Sequence, residues 1–370
     1  KVHYILDKYK VNPEEVLLIS FTNDSASDLR RRIAIDNIEV KTFHKFGLDI
    51  LTSVTKKKPS IFKGYKFKSL LTELFKDQLK DRKYIKKVNE FCTEYLQIPK
   101  PQFDFKTRGE YYQYLRDQDF KTFKYVETPG LTTLQREVVK SIEECKIANF
   151  LLFNGVEYKY EAKYEYDTSN IDHRQYEPDF SLFQDGNRVY LEHFGINKQR
   201  QVPPFFANDG ETQSQATKRY TDEMEWKIGL HKANSTVLIE TYSYEIWKDD
   251  EIFYDKLKQR LLDAGIKLNP KTPEEIWEII NKFYQNEEKG LIGLFERFIV
   301  LMKSNQYSTA SVRERASKQQ DDFLRKRSRL FLDIIEPIYD GYESHLTKKK
   351  DIDFSDMINK ATEYISGRKY

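Results

Sequence analysis

Two carboxylates, Asp179 and Glu192, stand thirteen residues apart in the stretch from Tyr176 to Gly195. The pair Asp185-Gly186 lies between two runs of alternating apolar residues, which is a strong signal for a β-hairpin with a tight turn. The hairpin would bring the two acids onto neighbouring strands, where they repel each other unless a cation lies between them. Oxygen ligands of this kind suit Mg²⁺ or Mn²⁺. The stretch therefore predicts a metal site, and the alternative is that both acids are solvated on the polar face of the hairpin.

The segments on either side of this hairpin predict the order helix, three strands, helix, strand over residues 136–248. A helix from Val138 to Phe153 would place Glu144 on the same face as its apolar residues, where an acid needs a partner. A metal or a basic neighbour would serve equally well. The segment from Glu157 to Tyr166 alternates as a first strand, and Thr236 opens the last one. The pattern predicts a compact α/β unit built around the hairpin.

This arrangement resembles the core of the PD-(D/E)XK nucleases, through Pro178-Asp179, Glu192, the preceding Glu143-Glu144 and the following strand Thr236-Val-Leu-Ile-Glu-Thr. The resemblance implies that Asp179 and Glu192 are catalytic and that they bind metal together with Glu144. The nuclease pattern also expects a lysine two residues after the second acid, where this chain has Phe194. The nearest substitute is Lys227 on the following helix, which could stabilise the attacking water or the phosphorane charge. It could equally form a surface pair with Glu223.

Residues 1–55 alternate helices with two short apolar strands, which is typical of an α/β fold. Aromatic and polar residues follow both strands, in the tripeptides Phe21-Thr22-Asn23 and Thr42-Phe43-His44. Ligands of open α/β sheets bind beyond the carboxyl ends of the strands. Rings, hydroxyls, an amide and an imidazole suit base stacking and phosphate hydrogen bonds without sequence reading. The alternative is ordinary helix capping, with Asn23 or Ser25 as the cap, and a buried phenylalanine.

Both tripeptides carry a second resemblance. Phe21 to Ala26, with Leu29 to Ile33, resembles motif Ia of the UvrD/Rep superfamily 1 DNA helicases, and Thr42 to Gly47 is similar to the Thr-Phe-His motif of that family. The amino-acid sequence of the hairpin is similar to that of the nuclease-like insertion found in helicase IV-like members. The resemblance implies that the six residues line a track for single-stranded or partly duplex DNA: Phe21, Thr22, Asn23, Thr42, Phe43 and His44.

The resemblance also implies ATP as the cofactor of the parent helicase. No G-x-x-x-x-G-K-[ST] phosphate loop occurs in the 370 residues, and Ile352 to Ile358 resembles the segment shortly before the acidic Mg²⁺ motif of the family. Phosphate binding needs the glycine-rich backbone and its lysine, and Mg²⁺ needs the acid. We therefore expect a central fragment that does not bind or turn over ATP productively by itself.

The composition limits the other classes of function. The chain has 62 basic and 59 acidic residues, a net charge of +3, so a nucleic-acid surface must come from local clustering. It has no run of 18 apolar residues that could span a membrane. The only cysteines, Cys92 and Cys145, form no CxxC pair, which argues against a disulfide framework or zinc site and favours a reducing cytoplasm.

The fold class predicted from all of this is α/β, with four ranges: an incomplete RecA-like subdomain at 1–55 and 350–370, a basic helical 1B-type subdomain at 56–135, a PD-(D/E)XK-like insertion at 136–248 and a helical continuation at 249–349. The favoured function is the DNA-binding middle of an ATP-dependent helicase that carries a nuclease-like insertion. A stand-alone metal-dependent endonuclease is one alternative. The other is a degenerate nuclease fold that acts as a DNA clamp or a partner-binding module.

Overall fold

The computed structural model describes residues 1–95, 100–118, 131–171, 173–247, 250–284 and 290–368. These residues form two compact units. We call Lys1–Phe91 with Tyr284–Tyr370 the terminal unit, and Cys92–Phe283 the central unit. No helix within the described ranges is long and apolar enough to cross a membrane.

The described secondary structure is mainly helical. The helices are α1 (Val2–Tyr9), α2 (Asn23–Ile33), α3 (Phe43–Thr55), α4 (Phe67–Gln78), α5 (Arg82–Glu90), α6 (Arg108–Gln118), α7 (Ile142–Phe153), α8 (Gln213–Ala233), α9 (Ser243–Ile246), α10 (Asp250–Asp263), α11 (Pro273–Tyr284), α12 (Leu291–Ser304), α13 (Thr309–Ser317), α14 (Asp322–Lys349) and α15 (Phe354–Ser366). The strands are β1 (Leu17–Ser20), β2 (Glu39–Thr42), β3 (Ser60–Ile61), β4 (Leu131–Thr132), β5 (Val138–Val139), β6 (Glu157–Tyr160), β7 (Phe180–Gln184), β8 (Asn187–Phe194), β9 (Val237–Tyr242) and β10 (Asp351–Ile352).

In the terminal unit, the two ends of the chain pack against each other. Strands β1 and β2 form a parallel pair, and β3 pairs in parallel with β10 near the other end of the chain. Helices α3 and α15 meet over a small apolar cluster of Leu51, Ile352 and Met357. Gly47 lies at this contact, where a Cβ atom would touch Ile358 at 3.4 Å. These contacts hold β1, β2 and α15 in one body.

The predicted ranges divide differently between the two units. Ranges 1–55 and 350–370 fall in the terminal unit, and range 136–248 falls in the central unit. The two helical ranges, 56–135 and 249–349, each contribute residues to both units. The division therefore passes through these helical ranges, at Phe91 and Phe283.

In the central unit, β6, β7, β8 and β9 form one four-stranded sheet. The first three strands are antiparallel, and β9 runs parallel to β8. Helices α7 and α10 bury apolar residues against one face of this sheet, in a cluster that includes Ile147, Leu151, Phe180 and Leu257. The predicted order helix, three strands, helix, strand is present as α7, β6, β7, β8, α8 and β9.

The hairpin of β7 and β8 has the turn that its sequence predicts. Gln184 pairs with Asn187 across the turn, and Asp185 and Gly186 have φ angles of 51° and 80°. Two central residues with positive φ match the twist of a two-residue hairpin, which explains the Asp-Gly sequence at this point.

Four predicted boundaries are wrong by a few residues. The first strand of the sheet ends at Tyr160 because Glu161 turns to a φ of 46°, and α7 begins only at Ile142 because Ser141 caps it. The second strand was predicted over residues 38–43, but β2 ends at Thr42, whose hydroxyl accepts a hydrogen bond from the Lys45 amide and so begins α3. Helix α2 is capped by Thr22 rather than by Asn23 or Ser25. Local capping and turn geometry decided each end, which apolar spacing alone does not specify.

Candidate carboxylate centre and nucleic-acid interface

The hairpin brings Asp179 and Glu192 together in the central unit. Asp179 directly precedes β7, and the backbone N–H of His193 on β8 donates a hydrogen bond to its Oδ2 at 2.7 Å. Glu192 lies in the middle of β8 and is 1% exposed. The hairpin therefore brings these acids together as predicted, but Glu192 is buried and Asp179 is partly buried, so the pair is not solvated on a polar face.

Both carboxylate oxygens of Glu192 have a protein donor. The hydroxyl of Tyr176 donates to Oε1 at 2.7 Å, and the ammonium of Lys227 donates to Oε2 at 2.8 Å. Lys227 comes from α8, so the lysine expected near this acid reaches it from a helix and not from the strand. Although burial opposes the charge, the neighbouring Glu192 and Asp179 raise the pKa of Lys227. Lys227 is thus held as a cation beside the two acids.

Phe194 occupies the strand position where the nuclease pattern has its lysine. The ring is 2% exposed and belongs to an apolar cluster with Ile196, Val202 and Met224. This place is therefore part of the core, and a charged group there would be desolvated without a partner. The packing explains why, within the described residues, the lysine in contact with Glu192 comes from α8.

Asp179 is the acid whose charge is compensated least. Burial, followed by the negative charges of Glu192 and Glu144, raises its pKa well above the usual aspartate value. Lys227 and the His193 amide act in the opposite direction without cancelling these effects. Within the described residues Oδ1 of Asp179 has no hydrogen-bond donor. A cation or a proton would therefore bind at this carboxylate with a gain in free energy.

Glu144 contributes to the same electrostatic field from α7. Its oxygens accept hydrogen bonds from the Ser141 hydroxyl at 2.9 Å, the Lys140 amide at 3.0 Å and the Tyr160 hydroxyl at 2.6 Å. Burial raises the pKa of Glu144 in spite of these donors. The residue is thus electrostatically linked to Asp179 while its own oxygens are already occupied by protein groups.

The three acids do not stand at metal-ligand distances from one another. Among the described residues, oxygens of Glu343, Asp353 and Asp356 in the terminal unit form the one acidic group with all atoms within 4.8 Å of each other. The ammonium of Lys303 lies in that group and pairs with all three acids. Glu144, Asp179 and Glu192 are more widely spaced.

Sequence reasoning missed the role of Glu143, which it treated only as the neighbour of Glu144. Glu143 is 1% exposed and accepts hydrogen bonds from Gln102 at 3.2 Å, from Ser243 and from the Trp247 indole, and it lies 3.3 Å from the His193 ring. Burial acts to raise its pKa, but His193, Ser243 and Trp247 lower it below the usual value. The partners come from three distant segments, around Gln102, His193 and Ser243–Trp247, so no local pattern could have predicted this cage.

In the terminal unit, two aromatic rings lie side by side where the parallel strands end. Phe21 follows β1 and is 85% exposed, and Phe43 follows β2 and is 43% exposed. Their ring centroids are 5.2 Å apart. The next ring, His44, is also exposed and packs edge-on against Phe354 of α15 at 4.9 Å. The predicted interface residues thus include an exposed row of rings, and the predicted alternative of a buried phenylalanine does not apply here.

The two threonines of the predicted interface have structural roles as well. Thr22 caps α2 by accepting from the Ser25 amide, and Thr42 is 8% exposed and caps α3. Asn23 is the first residue of α2 and is exposed. The structure therefore brings all six residues to one end of the β1–β2 pair, where Phe21, Asn23, Phe43 and His44 face solvent.

Comparison with known proteins identifies one family. Searches among curated proteins and among solved structures give no match. The model of the UvrD/REP helicase N-terminal domain, however, matches residues 1–369, nearly the whole chain. This match includes both the strand-end aromatic residues and the carboxylate centre, and it shows that the chain belongs to the UvrD/REP helicase family.

Proposed function

We propose that this chain is the DNA-binding part of an ATP-dependent UvrD-type DNA helicase, and that its central unit is a nuclease-like domain. Helicases of this family use ATP with Mg²⁺. The observation that carries the proposal is the exposed pair Phe21 and Phe43 at the ends of two parallel strands. A family match over residues 1–369 favours this function over that of a stand-alone endonuclease.

The geometry of these rings suits a strand of unpaired bases. Every nucleobase has a flat face, so stacking on Phe21 and Phe43 would not depend on sequence. The exposed amide of Asn23 and the imidazole of His44 stand beside the rings and can donate to phosphate oxygens. We therefore propose that the terminal unit holds single-stranded or partly duplex DNA at this end of β1 and β2.

Fluorescence anisotropy with a labelled single strand tests this interface. Phe21→Ala should weaken binding about tenfold, because one base–aromatic stack is lost. Its matched control is Tyr9→Ala, another exposed ring of the same unit, which should leave binding unchanged. Affinity should also fall steeply as salt rises from about 50 to 200 mM. Equal binding by Phe21→Ala and the unchanged chain would exclude this site.

For the central unit we propose a DNA site centred on Asp179, with Glu192 and Lys227 beside it. Asp179 fits a divalent cation, because it is partly buried, its charge is poorly compensated and its Oδ1 lacks a donor among the described residues. Asp179 would hold Mg²⁺ or Mn²⁺, and the nearby Glu192 and Glu144 would add negative charge. When bound, such a cation neutralises the acids and activates a water for attack on phosphorus.

The residues of the chain then have separate roles. Asp179 would hold the cation, while its Oδ2 stays fixed by the His193 amide. Lys227 remains protonated next to Glu192, so its ammonium can stabilise negative charge that develops on a phosphate. The Tyr176 hydroxyl keeps Glu192 in place. These roles make the centre a candidate for metal-dependent phosphodiester cleavage.

A second function is favoured by the hydrogen bonds of Glu192 and Glu144. Lys227 and Tyr176 occupy both oxygens of Glu192, and Tyr160, Ser141 and the Lys140 amide occupy those of Glu144. Donors from the protein thus occupy the carboxylate oxygens of Glu192 and Glu144, two of the three acids. A centre of this kind could bind DNA without cutting it, as a degenerate nuclease that serves as a clamp or a partner-binding module.

A cleavage assay separates the two functions. Plasmid and single-stranded DNA are incubated with Mn²⁺ and the unchanged chain, Asp179→Asn or Lys227→Met, with Asp185→Asn in the exposed hairpin turn as the matched control. If the centre is a nuclease, the unchanged chain should cut DNA. Cutting should be lost in Asp179→Asn and Lys227→Met and kept in Asp185→Asn. DNA binding without any cutting supports the clamp. Cutting that survives Asp179→Asn excludes this centre as its source.

A further inference from the structure

The terminal unit contains a cavity that none of the roles above explains. It has a volume of about 290 Å³ and is formed by α12, α13, α14 and Phe91 at the end of α5. Its apolar wall includes Phe91, Phe298 and Phe331, with Phe331 5.6 Å from Phe91 and 5.1 Å from Phe298 between ring centroids. Phe298 and Phe331 remain partly exposed. The cavity therefore offers aromatic surface to a flat ligand.

Two arginines line the same cavity, Arg315 from α13 and Arg327 from α14. Within the described residues Arg315 pairs with no carboxylate, and its guanidinium lies 4.1 Å from the centre of the Tyr307 ring. Arg313, two residues earlier on the same helix, is by contrast paired with Asp333 and Glu336. Burial lowers the pKa of the Arg327 guanidinium, so a bound anion would stabilise its charge. The cavity thus combines aromatic walls with positive charge.

We propose that this cavity binds a nucleobase together with its 5′-phosphate. The base would lie against Phe298 and Phe331, and Arg315 and Arg327 would bind the phosphate, since the planar guanidinium suits bidentate contacts with phosphate oxygens. Gln319 and Ser328 also line the cavity and can bond the polar edge of the base. The volume lies at the lower end for ligand pockets, about 300 Å³, which suits one nucleotide and not a larger cofactor.

A base with its 5′-phosphate can come from two ligands, a free mononucleotide or one unpaired nucleotide of a DNA strand. The probe is 2-aminopurine, whose fluorescence falls when it stacks on an aromatic ring. It is titrated as the free deoxynucleoside 5′-monophosphate and as a single base in a short oligonucleotide. The oligonucleotide titration uses a variant with both Phe21→Ala and Phe43→Ala, so that stacking on these two exposed rings does not contribute. Saturable quenching with the free nucleotide assigns that source, and quenching with the oligonucleotide alone assigns DNA.

Variants identify the cavity as the source of the quenching. Arg315→Ala and Arg327→Ala should each weaken binding about tenfold, because a charge-assisted phosphate contact is lost. Phe331→Leu keeps an apolar side chain, removes the ring and should weaken binding about fivefold. Val312→Phe fills the cavity without removing core atoms and should abolish quenching. Thermal unfolding of each variant shows that it is folded.

The matched controls are Lys318→Ala for Arg315 and Lys326→Ala for Arg327, which are exposed cations near the same positions that do not line the cavity. Both should bind within about twofold of the unchanged chain. Ribose 5-phosphate and adenine alone should bind more weakly than the nucleotide. Absence of saturable quenching with both probes would overturn the proposal. So would equal losses in the arginine variants and their lysine controls, or full binding by Val312→Phe.

Discussion

Two clusters in this chain each combine three carboxylates with one lysine, and the lysine is used differently in each. In the terminal unit, Lys303 on α12 lies 2.5, 2.8 and 2.9 Å from oxygens of Glu343, Asp353 and Asp356. In the described part of the central unit, Lys227 makes its ion pair with Glu192 alone. The first cluster is a closed ion network, whereas the second leaves Asp179 and Glu144 without a direct cation, and of these two only Glu144 has hydrogen-bond donors on both oxygens.

The electrostatic consequence is visible in Asp179. Its pKa is raised well above the usual value by burial and by two neighbouring acids, and no ammonium from the described part of the chain contacts it directly. Lys303 contacts each acid of its own cluster, and although burial opposes its charge, Asp353 and Glu343 raise its pKa. Three nearby acids are therefore not by themselves evidence for a metal site. An acid that has neither a direct cation nor donors on both oxygens, as is the case for Asp179 among the described residues, is the better indicator.

The largest effect is expected for Lys303→Met. The change removes the only cation that contacts Glu343, Asp353 and Asp356 among the described residues, so it should lower the free energy of unfolding by about 3 kcal/mol. Urea unfolding measures the change. Lys318→Met breaks the exposed pair with Glu314 and is the control, with an expected loss below about 0.5 kcal/mol. A loss below about 1 kcal/mol for Lys303→Met would contradict the view that Lys303 compensates the charges of all three acids.

A smaller loss is expected for Lys227→Met. Glu192 is almost fully buried and, among the described residues, would keep only the Tyr176 hydroxyl as a side-chain donor, which should cost about 2 kcal/mol of unfolding free energy. The control is Lys267→Met, which breaks the exposed pair with Asp185 in the same unit. An unchanged midpoint of urea unfolding for Lys227→Met would contradict the proposed dependence of Glu192 on this lysine.

Asp179→Asn should have a smaller effect of opposite sign. Removing a poorly compensated charge should raise the free energy of unfolding by about 1 kcal/mol at pH 7, while Asn can still accept from the His193 amide. Because the folded pKa is raised, the folded state binds the proton more tightly than the unfolded one. Stability in the unchanged chain should therefore fall as pH rises from the ordinary aspartate pKa through the raised one.

Thermal unfolding across that pH range checks the sign. The Asp179→Asn variant should lose this part of the pH dependence, and Asp185→Asn, in the exposed turn, should retain it. If Asp179→Asn is less stable than the unchanged chain at pH 7, the charge of Asp179 is already compensated.

The sequence predicted the hairpin better than it predicted the centre. Asp185-Gly186 is a local signal, because the turn needs positive φ at both residues, and it fixed the neighbouring positions of Asp179 and Glu192. The contact between Lys227 and Glu192 depends on the packing of α8, so the sequence could offer Lys227 only as a candidate.

Other features depended entirely on distant contacts. The donors around Glu143 come from separate parts of the central unit, and the pairing of Lys303 with α15 joins residues about 50 positions apart. Neither leaves a local pattern in the chain. The end of the first sheet strand was also missed, because the positive φ of Glu161 interrupts a sequence that continues to alternate.

The most direct test of the account is the binding of Mn²⁺, measured by electron paramagnetic resonance without DNA or nucleotide. The account predicts one bound Mn²⁺ in the unchanged chain, loss of that site in Asp179→Asn and its retention in Asp353→Asn, which alters only the Lys303 cluster. Binding that survives Asp179→Asn, or that disappears in Asp353→Asn instead, would contradict the claim that the uncompensated acid marks the metal site. Absence of any bound Mn²⁺ in the unchanged chain would contradict it as well.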